Sequence, residues 1–273
     1  MTGQLQIEYL KDKAKKLRRD IVSMIHQSGT PGHYGGSLSC AEILVFLFLE
    51  TMRHQPQNPH WESRDRFILS KGHAAPALYA VLAECGYFPK GQFVGFKKLG
   101  GTLQGHPDMK LTPGVEMSTG SLGQGLSVGV GMALASRLDR QDNRVYVLLG
   151  DGELDEGSVW EAAMAAAHFG LDHLTAIVDR NRLQISGPTE RTMKLEPLGG
   201  KWASFGWEVA NTNGHDIPQI LSALNWALRV EGKPSVIIAD TTKGKGIPFM
   251  ENTEGSHSAM LTDKQFAEAG EVL

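Results

Sequence analysis

Val145-Tyr146-Val147-Leu148-Leu149-Gly150-Asp151-Gly152-Glu153 is the stretch that decides how this chain folds. Its first five residues are apolar without alternation, the pattern of a strand covered on both faces. The run breaks at Gly150, and an alanine-rich helix is predicted over Ser158 to Phe169. In an open α/β sheet, ligands collect at the carboxyl ends of the strands. An Asp placed there between two glycines can reach a cation while the backbone comes close to a phosphate. The helix that follows turns its free N–H groups toward the same point. The next predicted strand, Leu174 to Val178, runs into Asp179-Arg180-Asn181-Arg182-Leu183. Asn181 therefore arrives one strand–helix–strand unit after Asp151. A carboxylate, an amide oxygen and a backbone carbonyl are hard ligands that suit Mg²⁺ or Ca²⁺, the coordination being completed by phosphate oxygens and water. Gly-Asp-Gly alone is also an ordinary turn; the strand context and the second oxygen ligand are what point to a metal–diphosphate site.

Outward from this unit the same alternation continues. Strands are predicted at Arg66 to Leu69, Trp207 to Ala210 and Val236 to Ala239, and helices at Ala41 to Glu50, Ala74 to Cys85, Leu126 to Leu138 and Ile217 to Val230. Ile7, Leu10, Ala14, Leu17, Ile21 and Met24/Ile25 form one stripe of an N-terminal helix. Its basic residues between Lys11 and Arg19 lie mostly off that stripe and read as a solvated face rather than a phosphate patch. Ser28 to Ser39, Asn58 to Arg64, Gly100 to Gly125 and the tail beyond Glu251 read as loops. Short apolar strands alternating with helices give an α/β fold, a parallel sheet with helices on both faces. No linker or repeat divides the chain, so residues 1–273 read as a single domain. The small residues Gly129, Gly131, Ala133 and Ala135 would let another helix pack closely.

The chain carries 27 basic and 30 acidic residues among 273, a net charge of -3, which argues against nucleic-acid binding. Cys40 and Cys85 form neither a metal spacing nor a disulfide framework, and a reducing compartment follows. Met1 to Ile7 lacks a leader pattern, and Ile43 to Leu49, the longest apolar run, is far shorter than the roughly 20 residues of a membrane span. A cytoplasmic protein is expected. Of ten histidines, four follow glycine: His33, His73, His106 and His215. The first three fall in loops, where a neutral imidazole can relay protons and the glycine lets a substrate approach. His215, in Asn213-Gly214-His215-Asp216, reads as structural because Asn-Gly starts turns.

Gly150-Asp151-Gly152 with Asn181 resembles the thiamine diphosphate signature. Gly32-His33-Tyr34-Gly35-Gly36, Leu69-Ser70-Lys71-Gly72-His73, Gly105-His106-Pro107 with Pro113 to Gly125, and Thr241-Thr242-Lys243-Gly244-Lys245-Gly246 followed by His257 are similar to motifs of the transketolase family. The resemblance implies the thiamine diphosphate-binding fold in its diphosphate-binding form. It implies that the Asp151 and Asn181 side chains and the Leu183 carbonyl ligate the metal, Mg²⁺ with Ca²⁺ or Mn²⁺ as substitutes, and that Gly150, Gly152 and Glu153 lie against the thiamine diphosphate. Gly120, Ser121, Leu122 and Gly123 would form the wall beside its pyrimidine, and Glu156 would sit in a subunit interface. His33 and His106 would contact the sugar near its carbonyl and first hydroxyl. His73 and His257 would lie by the diphosphate, His257 also carrying a proton. Tyr34 stands where proline is usual, a departure that bears on the pocket around His33 and leaves the metal motif untouched.

In that family the glutamate that activates the cofactor belongs to the next domain, and this sequence ends where that domain would begin. The resemblance thus implies an N-terminal subunit of a split transketolase, active in an alpha2beta2 assembly with a separate C-terminal subunit carrying the pyrimidine-binding domain. It would move a two-carbon ketol unit from a ketose phosphate to an aldose. The rival readings are a 2-oxo acid dehydrogenase alpha subunit, a deoxyxylulose phosphate synthase-like enzyme, or a non-catalytic partner protein.

Overall fold

The computed structural model describes residues 3–273; Met1 and Thr2, part of the stretch read for a leader, lie outside them. Five parallel strands form one sheet in the order β1-β2-β3-β7-β6, with β1 at Arg66–Leu69, β2 at Val145–Gly150, β3 at Leu174–Arg180, β6 at Glu208–Asn213 and β7 at Ser235–Asp240. The central strands β2 and β3 are buried along their whole lengths. Successive side chains of a strand point to opposite faces, and the two faces have separate cores. Tyr146, Leu148, Ile177 and Ile237 enter the core built with α1 (Gly3–Gln27), α3 (Ala41–Phe46), α4 (Ala75–Cys85) and α9 (Ile217–Ala227). Val145, Val147, Leu149, Ala176 and Val178 enter the other, with α5 (Gly125–Leu138), α6 (Gly157–His168) and α8 (Leu198–Ser204). Each such Val, Leu or Ile contributes about 1.5–3 kcal/mol by leaving water.

Several local expectations need correction. The tail beyond Glu251 is not all loop: α10 spans Asp263–Val272, opened by a capping box in which Thr262 and Gln265 satisfy each other's backbone N–H groups. Ser28 to Ser39 contains a helical turn, α2 (Gly35–Leu38), and the helix expected through Glu50 leaves the α form at Phe46 for a wider turn over Leu47–Thr51. Helix α8 carries Gly199 and Gly200, poor helix formers that hid it. On α1, Lys13 and Lys16 meet Glu84 on α4, while Arg18 is buried and joins Glu42 of α3 at 2.6 Å. The small residues of α5 divide: Gly129 and Ala133 face the sheet, whereas Gly131 and Ala135 face outward. Among the described residues no helix is long and apolar enough to cross a membrane.

Candidate active site

Register builds the centre of the site. Gly150 of β2 pairs with Asp179 of β3, so Asp151 and the Arg180-Asn181-Arg182 segment emerge side by side from adjacent strand ends. Asp151 Oδ2 accepts from the Arg182 backbone N–H at 2.5 Å and from Arg180 Nη1 at 3.1 Å; its Oδ1 accepts from the Gly152 N–H at 2.8 Å. Asn181 Nδ2 donates to Asp179 Oδ2 at 3.3 Å, and Asn181 Oδ1 accepts from the Leu183 N–H at 3.1 Å. Asp179 is itself fixed by Ser39, Lys71 and Thr241. The amide is thereby oriented, nitrogen toward Asp179 and oxygen toward Leu183, as a hard-cation ligand requires. Burial, helped by the neighbouring Asp179, pushes the Asp151 carboxyl up to about 6, against the Arg182 N–H and Arg180. A desolvated carboxylate beside a second one is relieved by a cation.

These groups border a cavity of about 340 Å³. Its lining includes His33, His73, His106 and His257, gathered from three loops and the segment after β7. The His33 ring lies 5.5 Å from His73, 5.8 Å from His106 and 5.4 Å from His257, and His73 lies 5.0 Å from His257, centroid to centroid. Burial, then the nearby ammonium groups and imidazoles, lowers His33 and His257 to about 4 and His73 well below its ordinary value; burial and Lys97 lower His106. Neutral imidazoles can donate from one nitrogen and accept at the other. Lys243 Nζ donates to the Leu183 carbonyl at 2.9 Å and approaches His257 Nδ1 at 3.2 Å. Burial lowers this lysine to about 8, against the pull of Asp151 and Asp179. Lys71 is committed to Asp179 and the Gly36 carbonyl.

The donor set fits a divalent cation carrying a diphosphate: a carboxylate, an amide oxygen and a backbone carbonyl line one cavity, with the Lys243 ammonium on that carbonyl. A buried acceptor, Gln184 Oε1, borders the cavity with no partner among the described residues, and a Cβ on Gly152 would come within 2.9 Å of the Gln184 Cβ. A side chain at position 152 would therefore collide with Gln184, so packing at this strand end favours glycine.

Of the residues expected from sequence, His33, His73, His106, Gly120, Leu122, Gly150, Asp151, Gly152, Glu153, Asn181, Leu183 and His257 all line the cavity. Ser121, Gly123 and Glu156 do not, and Ser121 and Glu156 are exposed. The Glu153 carboxylate is held by the chain itself, accepting from Ser70 and from the N–H groups of Gly123 at 2.9 Å and Gly150 at 3.0 Å. Tyr34 is buried and absent from the lining, so the departure from the family motif points into the core. His215 lies outside the cavity. Sequence reading passed over Lys71, Lys243, Gln184 and Ile185, which also line it. For both lysines a signal was present: a lysine beside glycine just past a strand end, the same logic that marked Asp151.

The family model described as the transketolase, thiamine diphosphate binding domain matches residues 10–273. The chain belongs to the transketolase family. It is 47% identical over 260 residues, 95% of this chain and 94% of the relative, to the 6-deoxy-6-sulfo-D-fructose transketolase subunit SqwG of Clostridium sp.. It is 43% identical to one of the subunits of the apulose-4-phosphate transketolase of Phocaeicola vulgatus, over 97% of this chain and 94% of that one. The solved transketolase of Campylobacter jejuni superposes with a TM-score of 0.91 at 35% identity, covering 97% of this chain and 42% of that one. The chain thus spans nearly all of its subunit relatives and about two fifths of the transketolase of known structure.

Proposed function

We propose that this chain is the N-terminal subunit of a split transketolase, a single domain over residues 1–273 that holds thiamine diphosphate through Mg²⁺ and acts in the cytoplasm within an alpha2beta2 assembly. The observation that carries the reading is the convergence of Asp151, Asn181 and the Leu183 carbonyl on a cavity with a lysine and four neutral imidazoles. Asp151, Asn181 and Leu183 hold the metal; Gly150, Gly152, Lys243 and His73 take the diphosphate, and Glu153 shapes the floor beneath it. Gly120 to Gly123 form the wall that meets the pyrimidine, and the exposed Glu156 belongs to the subunit interface. When bound, the cofactor supplies the carbon nucleophile and electron sink that ketol transfer needs.

The histidines act on the sugar. His33 and His106, neutral at pH 7, orient its carbonyl and first hydroxyl. His257, whose Nδ1 faces the Lys243 ammonium, keeps its proton on Nε2 and can deliver it to the reacting oxygen. The two relatives are named for anionic sugars, one a phosphate and one a sulfonate. A ketose with a terminal anionic group is the proposed donor and an aldose the acceptor, in carbohydrate metabolism.

Purified chain alone is expected to give no ketol transfer. Chain co-purified with its pyrimidine-domain partner is expected to use ketose phosphates and not pyruvate. Turnover by the isolated chain, or a preference for pyruvate in the complex, would refute the proposal.

A further inference from the structure

Asn213-Gly214-His215-Asp216 takes no part in the cavity, yet His215 is held on both ring nitrogens. Its Nε2 accepts from the Thr242 backbone N–H at 2.8 Å, so that nitrogen carries no proton. The proton sits on Nδ1, which donates to Glu42 Oε2 at 3.0 Å. The same Glu42 oxygen accepts from Arg18 Nη2 at 2.6 Å, and that guanidinium also donates to the Leu38 carbonyl at 3.3 Å. Glu42 and Arg18 are both buried. The imidazole thus fixes the Thr242 peptide against α1 and α3, two helices of the core. Thr242 directly precedes Lys243, whose ammonium reaches the Leu183 carbonyl and His257. The turn has further backbone anchors: the Thr241 N–H donates to the Arg180 carbonyl at 3.2 Å, the Lys245 N–H to the Thr242 carbonyl at 3.2 Å, the Asn252 N–H to the Lys243 carbonyl at 2.9 Å and the Gly244 N–H to the Gly35 carbonyl at 3.1 Å. His215 supplies the bond to the N–H of the Thr241–Thr242 peptide, one residue before the Lys243 Cα, and so sets how the chain enters that lysine.

We infer that His215 is a positioning residue for cofactor binding: its Nε2 holds the Thr242 N–H and thereby sets where the Lys243 ammonium stands above the metal–diphosphate site. Glu42 and Arg18 fix the ring and its tautomer from behind, as outer partners do for metal-bound imidazoles. The inference rests on the reading of the cavity as a diphosphate site.

The test is calorimetric titration of thiamine diphosphate, with Mg²⁺, into the chain co-purified with its partner, alongside thermal melting of the same complex without cofactor. His215→Leu leaves the Thr242 N–H unpaired and is expected to raise the Kd roughly ten-fold, the scale of one hydrogen bond left unmade. His215→Gln, whose side-chain oxygen can accept from Thr242, is expected to stay within about three-fold of wild type, again on the scale of a retained hydrogen bond. His215→Asn, which keeps the donor to Glu42 but falls short of Thr242, is expected to melt near wild type and bind as weakly as the leucine variant; it also serves if that variant fails to fold. In a Lys243→Met background the same substitutions are expected to add no further loss, because residues acting through one group are not additive. Wild-type affinity in H215N, equal loss in H215Q and H215N, or an undiminished loss on K243M would overturn the inference. Absence of binding by the wild-type complex would overturn the diphosphate reading and this inference with it.

Discussion

Glu153 lines the cavity, yet its carboxylate is spent on the chain's own donors. Its carboxylate collects Ser70 and the N–H groups of Gly123 and Gly150, joining the end of β2 to the loop before α5. Burial pushes this carboxyl up, and the three donors and Lys71 act the other way. Glu153→Gln places an amide where only acceptors are wanted, leaving at least one N–H unpaired at a cost of about 1–3 kcal/mol. The expected result is a melting temperature lowered by on the order of 5 °C, measured by calorimetry on the chain without cofactor. Asp151 and Asn181 could be placed at neighbouring strand ends because apolar runs and oxygen-bearing residues coincide in the sequence, whereas Leu183 was named through the resemblance to the transketolase family. Lys71, Lys243 and Arg180 were passed over, since lysine and arginine default to solvent and only tertiary partners bury them. Arg180 is buried between Asp151, Glu190 and Glu196, the latter two contributed by the segment after β5 (Gly187–Pro188).

At the level of elements, helix α5 separates two uses of small residues. A Cβ on Gly129 would lie 2.6 Å from Val147 Cγ2, whereas one on Gly131 meets nothing within 4 Å. Gly129→Val is expected to cost about 1–3 kcal/mol by overpacking the β2 contact. Gly131→Ala is expected to leave the chain as stable or stabilise it by about 0.5–1 kcal/mol, as alanine does in an exposed helix. Urea unfolding of both variants checks the pair; equal losses would show that the division of the helix is wrong. The buried strands were legible as unbroken apolar runs and the N-terminal helix as an apolar stripe. Helix α10 was missed because its ten residues bury only Ala269, although Thr262 and Gln265 stood three apart at its start. The two-residue ladder β4 (Leu183–Gln184) with β5 was invisible because its backbone pairing leaves no hydrophobic pattern.

Across the whole molecule, buried titratable groups set the response to acid. His33 and His257 hold no proton until about pH 4 in the folded chain but titrate near 6.5 once unfolded. Between those values the unfolded chain binds more protons, so stability falls as pH drops from about 6.5 to 4. Glu42 extends the effect. Burial alone would raise it, but His215 and Arg18 outweigh burial and hold it at about 2, so its contribution, present above about pH 4.3, is lost as pH falls toward 2. Asp151, raised to about 6, acts the other way between about pH 6 and 3.9 and offsets part of the histidine loss; a melting temperature that falls below pH 6.5, with a second decline below about 4.3 that Glu42→Gln removes, is the expected profile.

The proposed site requires Asp151 and Asn181 to grip one ion at neighbouring strand tips. Crystals of the assembled protein grown with Mn²⁺ and thiamine diphosphate test this through the anomalous signal of the metal. One peak within about 2.2 Å of an Asp151 carboxylate oxygen, Asn181 Oδ1 and the Leu183 carbonyl is the predicted result. A cofactor-bound structure whose manganese lies elsewhere, or touches only one of the two side chains, would contradict it.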